Sequence, residues 1–162
     1  MIDRRRFLKT LAVAAATPTV SLAREDGESG FGRLRPDPEG ILDLPAGFSY
    51  TVISRRGEEM DDGLLVPGLH DGMAAFAAEN GTVRLVVNHE IYPSWQGVGA
   101  FGADLERLER IDRTRVYDFG KGRTPGAGGT TTIHYDPARK ERLRIHLSLA
   151  GTEINCAGGP MP

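Results

Sequence analysis

Apolar residues along this chain come in short runs separated by polar stretches rich in glycine and proline, the rhythm of strands and turns rather than of helices. The clearest run is Thr82, Val83, Arg84, Leu85, Val86, Val87, Asn88, which predicts a strand. Its Leu85-Val86-Val87 centre is continuous instead of alternating, so protein is expected on both faces. An extended run from His70 to Phe76 precedes it, and Asn80-Gly81 between the two marks a tight turn. Farther on, Thr130–Tyr135 and Leu143–Leu149 predict a hairpin whose turn opens at Asp136-Pro137. Near the front, Leu44–Phe48 reads as a turn leading into a strand over Tyr50, Val52 and Ile53. Helical spacing occurs only in Leu105, Leu108 and Ile111, enough for a turn or two of helix within residues 104–113.

Residues 55–69, 91–103 and 120–129 are too charged or too glycine-rich for strand interiors and are expected as loops. Strands joined this way recur over roughly 40–50 residues, the length of a propeller blade, although no identical repeat is present. Periodicity alone therefore supports an all-β chain that looks incomplete. With 162 residues, 21 glycines and 10 prolines, a helix bundle is disfavoured.

The ends change this picture. Arg4, Arg5, Arg6, Phe7 and Leu8 precede the short apolar run from Leu11 to Ala16 and the small residues Ser21 and Ala23. This is the pattern of a removable export signal, and the paired Arg4 and Arg5 followed by Phe-Leu fit the twin-arginine type. Residues 1–23 are assigned to that signal, with cleavage after Ala23. The apolar run is too short to cross a bilayer, so no stable membrane span is expected. Residues 24–40 read as a flexible mature N-terminus, and residues 41–162 as the folded part. The chain stops inside a motif at Gly158, Gly159 and Pro160, so it is expected to be the first portion of a longer protein.

A net charge of -2 and no cluster of basic and aromatic residues after Lys9 exclude a nucleic-acid footprint. One cysteine, Cys156, allows no internal disulfide.

Five places carry candidate chemistry or invite that reading. Asn155-Cys156-Ala157-Gly158-Gly159 sets a soft thiolate donor among residues small enough for close approach; a buried structural cysteine is the plainer reading. Asn88-His89-Glu90 puts a hard carboxylate at a strand end, with His89 able to bind metal or to orient Glu90; a solvent-facing glutamate is the alternative. Asp71, in His70-Asp71-Gly72-Met73, is either a ligand or a turn former. The acidic loop of Glu58, Glu59, Asp61 and Asp62 lacks the spacing of a calcium loop and reads as solvated. His134 and His146 face each other across the expected hairpin and read as strand-surface residues.

Taken in order, the leader, Leu44-Pro45-Ala46-Gly47-Phe48-Ser49-Tyr50, His70-Asp71-Gly72-Met73-Ala74, Leu85-Val86-Val87-Asn88-His89-Glu90, Gly128-Gly129-Thr130-Thr131-Thr132 and Asn155-Cys156-Ala157-Gly158-Gly159-Pro160 resemble the start of the PhoX-type alkaline phosphatases. The resemblance implies a six-bladed β-propeller, here truncated after its first blades, whose central face holds iron and calcium and hydrolyses small phosphate esters. It places Cys156 on an iron-ligating cysteine and Glu90 on a metal-ligating glutamate, with Asp71, His89 and Asn155 beside the site. It implies export by the twin-arginine translocase to the periplasm or beyond. A chain lacking most blades is expected to fold poorly and to be inactive alone. The rival expectations are a calcium-dependent propeller hydrolase without iron and a non-catalytic exported propeller that binds a partner.

Overall fold

The computed structural model describes residues 30–158. Arg4, Arg5 and the rest of the predicted leader, together with the final Gly159-Pro160 of the cysteine motif, lie outside them. The chain divides after Tyr50 into two compact units.

In the first unit, β1 (Leu34–Arg35) pairs antiparallel with β2 (Leu44–Pro45). The turn between them is organised by one carboxylate. Asp37 accepts hydrogen bonds from the Tyr50 hydroxyl at 2.6 Å and from the amides of Ile41 at 2.8 Å, Leu42 at 3.2 Å and Glu39 at 3.2 Å. Pairing thus begins at Leu34, inside the stretch that composition marks as flexible. The strand expected over Tyr50–Ile53 does not form. Tyr50 is tied through its side chain to Asp37, and the Ile53 carbonyl accepts from the Arg142 guanidinium at 2.7 Å, so side chains take the place of a ladder there.

The second unit is built on one antiparallel meander. Strands β3 (His70–Ala77), β4 (Val83–His89), β5 (Gly128–Asp136) and β6 (Glu141–Thr152) lie side by side in chain order. The β3–β4 turn falls at Asn80-Gly81, both with positive φ, and the β5–β6 turn is held by Asp136, whose carboxylate accepts from the amides of Ala138 and Arg139. The chain is all-β, and this four-stranded sheet is compatible with one blade of a propeller.

One sheet face is the core. Leu85, Val87, Ile133, Ile145 and Leu147 pack there against Met60, Leu64 and Val66 from one loop and Phe101 and Ile111 from another. The opposite face is only partly covered among the described residues: Arg84 is exposed and Val86 half-buried. The continuous Leu-Val-Val run therefore does not mean burial on both faces here. Helix is nearly absent. The segment around Leu105 yields only the 3-10 turns Leu108–Arg110 and Arg113–Arg115, because Leu105 takes a left-handed φ of 59° and Asp112 caps a separate turn by accepting from the Thr114 amide.

The acidic loop does more than face solvent: Glu59 and Asp61 are exposed, yet its carboxylates are tied into the fold. Asp61 Oδ2 accepts from the Ile145 amide at 2.7 Å and Asp62 Oδ2 from the Leu147 amide at 2.8 Å, while the Asp61 amide donates to the Ile145 carbonyl. These bonds satisfy the outer edge of β6, which would otherwise present unpaired backbone groups. In the same loop, Glu58 pairs with Arg142 of β6 and Glu59 with Arg107.

Candidate metal centre

Cys156 and Glu90, the two metal donors expected from the sequence, and Asp71, expected beside them, are each delivered by a different element. Asp71 is the second residue of β3, Glu90 follows the last residue of β4, and Cys156 sits in the loop after β6. One donor atom from each, a carboxylate oxygen of Asp71, a carboxylate oxygen of Glu90 and the Cys156 sulfur, lie within 4.8 Å of one another. Residues 85 positions apart in sequence thus meet at one end of the sheet.

Close backbone approaches make this possible. A Cβ on Gly72 would lie 2.4 Å from Ala157 Cα, so the cysteine loop passes over β3 where no side chain intervenes. A Cβ on Gly128 would lie 2.8 Å from the Thr152 carbonyl and 3.1 Å from both Asn155 Oδ1 and the His89 carbonyl, so β5 must also be bare where it crosses the site. The Ile154 amide donates to the Ile91 carbonyl at 3.1 Å, which ties the cysteine loop to the segment leaving Glu90. Leu69 and Ile154 both adopt left-handed φ, 49° and 54°, next to the converging residues. Such backbone is costly for branched side chains and concentrates at functional sites.

His89 is site-adjacent and occupied. It is fully buried, its Nδ1 donates to the Gly68 carbonyl at 2.9 Å, and its Nε2 accepts from the Thr131 hydroxyl at 3.0 Å. Burial holds its pKa far below the usual histidine value, at about 4. With both nitrogens engaged, it has no lone pair left for a metal and no bond to Glu90, so the ligand and orienting roles considered from sequence are replaced by a bracing one. It fixes the β4 end against Gly68 and β5, and the Glu90 amide then donates to the Leu69 carbonyl at 3.0 Å. His70 stacks edgewise on His89 with ring centroids 4.8 Å apart and faces Ser54, away from any ligand role. Asn155 accepts from the Thr152 hydroxyl, and Asn88 donates to the Gly72 carbonyl at 3.0 Å; both amides shape the loops around the donors.

Cys156 is exposed, which removes the buried structural reading. The Glu90 carboxyl is raised above the ordinary glutamate value, first by its hydrogen bond with Asp71, then by burial and by the Asp71 charge. No arginine or lysine pairs with Asp71 or Glu90 among the described residues. Two carboxyls held together without a cationic partner are electrostatically unfavourable, and a bound cation relieves that repulsion. Two atoms sharing one ion lie no farther apart than twice a metal–ligand bond, about 4–5 Å for oxygen and sulfur donors, so the spacing of these three fits a single ion. The mixture of one thiolate and two carboxylates suits a transition metal better than an alkaline-earth ion alone.

Sequence reasoning singled out Cys156 and Glu90 as metal donors with Asp71 beside them, and missed what surrounds these residues. The Gly68–His89–Thr131 brace carries no spacing signal, and the role of Gly72 shows only once the Ala157 backbone is seen against it.

The protein-family model described as Alkaline phosphatase PhoX matches residues 29–162. No curated protein and no solved structure matches the chain.

Proposed function

Since the chain belongs to the PhoX alkaline phosphatase family, we propose that it supplies the first blade and part of the metal centre of an exported phosphatase that hydrolyses small phosphate monoesters. The observation that carries this reading is the convergence of Asp71, Glu90 and Cys156 within 4.8 Å from three separate elements.

In this reading Cys156 and Glu90 hold iron and Asp71 completes the set, with calcium bound by oxygen donors nearby. Bound there, the cations would neutralise the charge of the phosphate ester and lower the barrier to attack on phosphorus. The chain's own contribution is positional. Glu90 and Asp71 offer two carboxylates at a fixed separation, Cys156 adds the soft donor, and the His89 brace keeps the end of β4 from shifting. The site opens to solvent on the Cys156 side, as a phosphatase acting on diffusible esters requires. The remaining ligands and the cationic groups that clamp phosphate would come from further blades.

The leader with Arg4 and Arg5 would send the folded protein through the twin-arginine translocase to the periplasm or medium, a route compatible with loading a thiolate-bound metal in the reducing cytoplasm. Among the described residues no helix is long and apolar enough to cross a membrane.

The test uses the native full-length protein that contains these residues. Metal-loaded protein should release phosphate from p-nitrophenyl phosphate at alkaline pH, lose that activity on chelation and regain it with iron and calcium. Turnover that survives exhaustive chelation would contradict the proposal.

A further inference from the structure

The longest connection between strands of the meander runs from Glu90 to the start of β5, and it leaves and returns at the sheet end that carries the metal centre. Its first turn is tightly fixed. The Ile91 amide donates to the His89 carbonyl at 3.0 Å, which bends the backbone sharply at Glu90. Ile91 is fully buried, and its carbonyl accepts from the Ile154 amide at 3.1 Å. Farther along, Ala100 and Phe101 are buried in the core.

Between these two anchors stand Tyr92 and Trp95, 45% and 50% exposed, with ring centroids 5.5 Å apart and ring planes at 61°. The Trp95 amide donates to the Tyr92 carbonyl at 2.9 Å and the Val98 amide to the Trp95 carbonyl at 3.1 Å, so backbone turns hold the two rings as a pair. Single exposed apolar residues are ordinary, whereas two large rings held in contact at the surface form a platform. Such rings have few rotatable bonds, so they give up little freedom when a third ring packs on them.

Their place in the chain says what that third ring belongs to. Tyr92 is two residues from Glu90, a backbone span of at most about 7 Å, which the bend at Glu90 shortens. In a propeller, neighbouring blades pack on the faces of each sheet, while connections at the sheet ends surround the central channel. The pair therefore borders the approach to the metal centre and does not lie between blades.

We propose that Tyr92 and Trp95 bind the aromatic ring of a phosphate monoester whose phosphate group meets the cations held at Asp71, Glu90 and Cys156. The inference rests on the phosphatase reading above and deepens it by naming the substrate class: aryl and nucleoside monophosphates in preference to esters of small aliphatic alcohols. The two rings touch the leaving group and take no part at phosphorus.

Two measurements on the metal-loaded full-length protein test this. In the first, p-nitrophenylphosphonate, whose P–C bond is not hydrolysed, is titrated while tryptophan emission is followed, with methylphosphonate as the ringless control. Trp95 is the one tryptophan in these 162 residues, and a nitroaryl ring against it should quench its emission saturably. Methylphosphonate should not, and the quenching should disappear in Trp95→Leu. In the second, kcat/KM for p-nitrophenyl phosphate is divided by that for glycerol 2-phosphate. Trp95→Leu and Tyr92→Leu should each lower this ratio about three- to tenfold, chiefly through KM, as loss of an aromatic contact implies. A merely structural role for the rings would lower both substrates together. Quenching that is absent or that survives Trp95→Leu, a ratio within twofold of the parent, or equal losses on both esters would overturn the proposal while the phosphatase reading stands. A metal-loaded parent that hydrolyses neither ester would overturn both.

Discussion

Gly72 and Ala157 touch backbone to backbone: a methyl group on Gly72 would lie 2.4 Å from Ala157 Cα. The residue after Asp71 and the residue after Cys156 are therefore in contact, and the distance between those two donors is set by the missing side chain.

Gly72→Ala should displace the cysteine loop by roughly 1 Å while leaving the meander intact, because Gly72 does not require a positive φ. A misplacement of that size costs about 100-fold in activity. Steady-state kinetics of the full-length protein, with circular dichroism as the control for folding, would check this. Activity within twofold of the parent would mean that the loop is not seated as described.

Asp61 and Asp62 close the edge of β6, so Asp61→Ala with Asp62→Ala should leave the Ile145 and Leu147 amides unpaired. The expected loss is about 1–3 kcal/mol for each buried donor left without an acceptor, read as a lower urea midpoint. The freed edge should also promote self-association, visible by size-exclusion chromatography. Unchanged stability would show that solvent satisfies those amides equally well.

The His89 brace predicts a large effect for a change outside the ligand set. His89→Phe keeps the volume but strands the Gly68 carbonyl and the Thr131 hydroxyl, and the cost is about 2–4 kcal/mol. His89→Gln, which retains a donor and an acceptor, should recover part of it. Equal stability of the two variants in urea unfolding would contradict the hydrogen-bonded role.

Asp37 gives the first unit an acid-sensitive turn. Its pKa is lowered from 3.8 to about 2, chiefly by the Tyr50 hydroxyl and then by the Ile41 amide, so the folded form favours the carboxylate. The stabilisation is fully present above pH 3.8 and disappears as pH falls toward 2. NMR signals of the Ile41 amide and the Tyr50 ring should hold constant down to about pH 3 and change together near pH 2. A transition centred near 3.8 would show that these bonds do not favour the ionised form.

Much of this arrangement was legible in the sequence because it depends on local chemistry. Asn80-Gly81 and Asp136-Pro137 announce their turns through backbone preference, and the strands on either side follow from β-branched runs. Cys156 and Glu90 stood out as metal-compatible donors beside glycines or at a strand end, with Asp71 as a neighbour. What sequence could not show depends on contacts between distant segments. The acidic residues at 58–62 look solvated until β6 is seen to need acceptors, and His89 looks like a ligand until Gly68 and Thr131 occupy both its nitrogens. Of the turn or two of helix suggested by Leu105, Leu108 and Ile111, only the 3-10 turn Leu108–Arg110 forms, because that spacing says nothing about the left-handed backbone at Leu105.

Metal content is the most direct measurement of whether Asp71, Glu90 and Cys156 act together. The full-length protein, purified alongside its Cys156→Ser and Glu90→Gln variants, would be assayed by inductively coupled plasma mass spectrometry after desalting. The parent should retain iron, and each variant should lose most of it while keeping its circular dichroism spectrum. Iron retained in full by both folded variants would contradict the shared site.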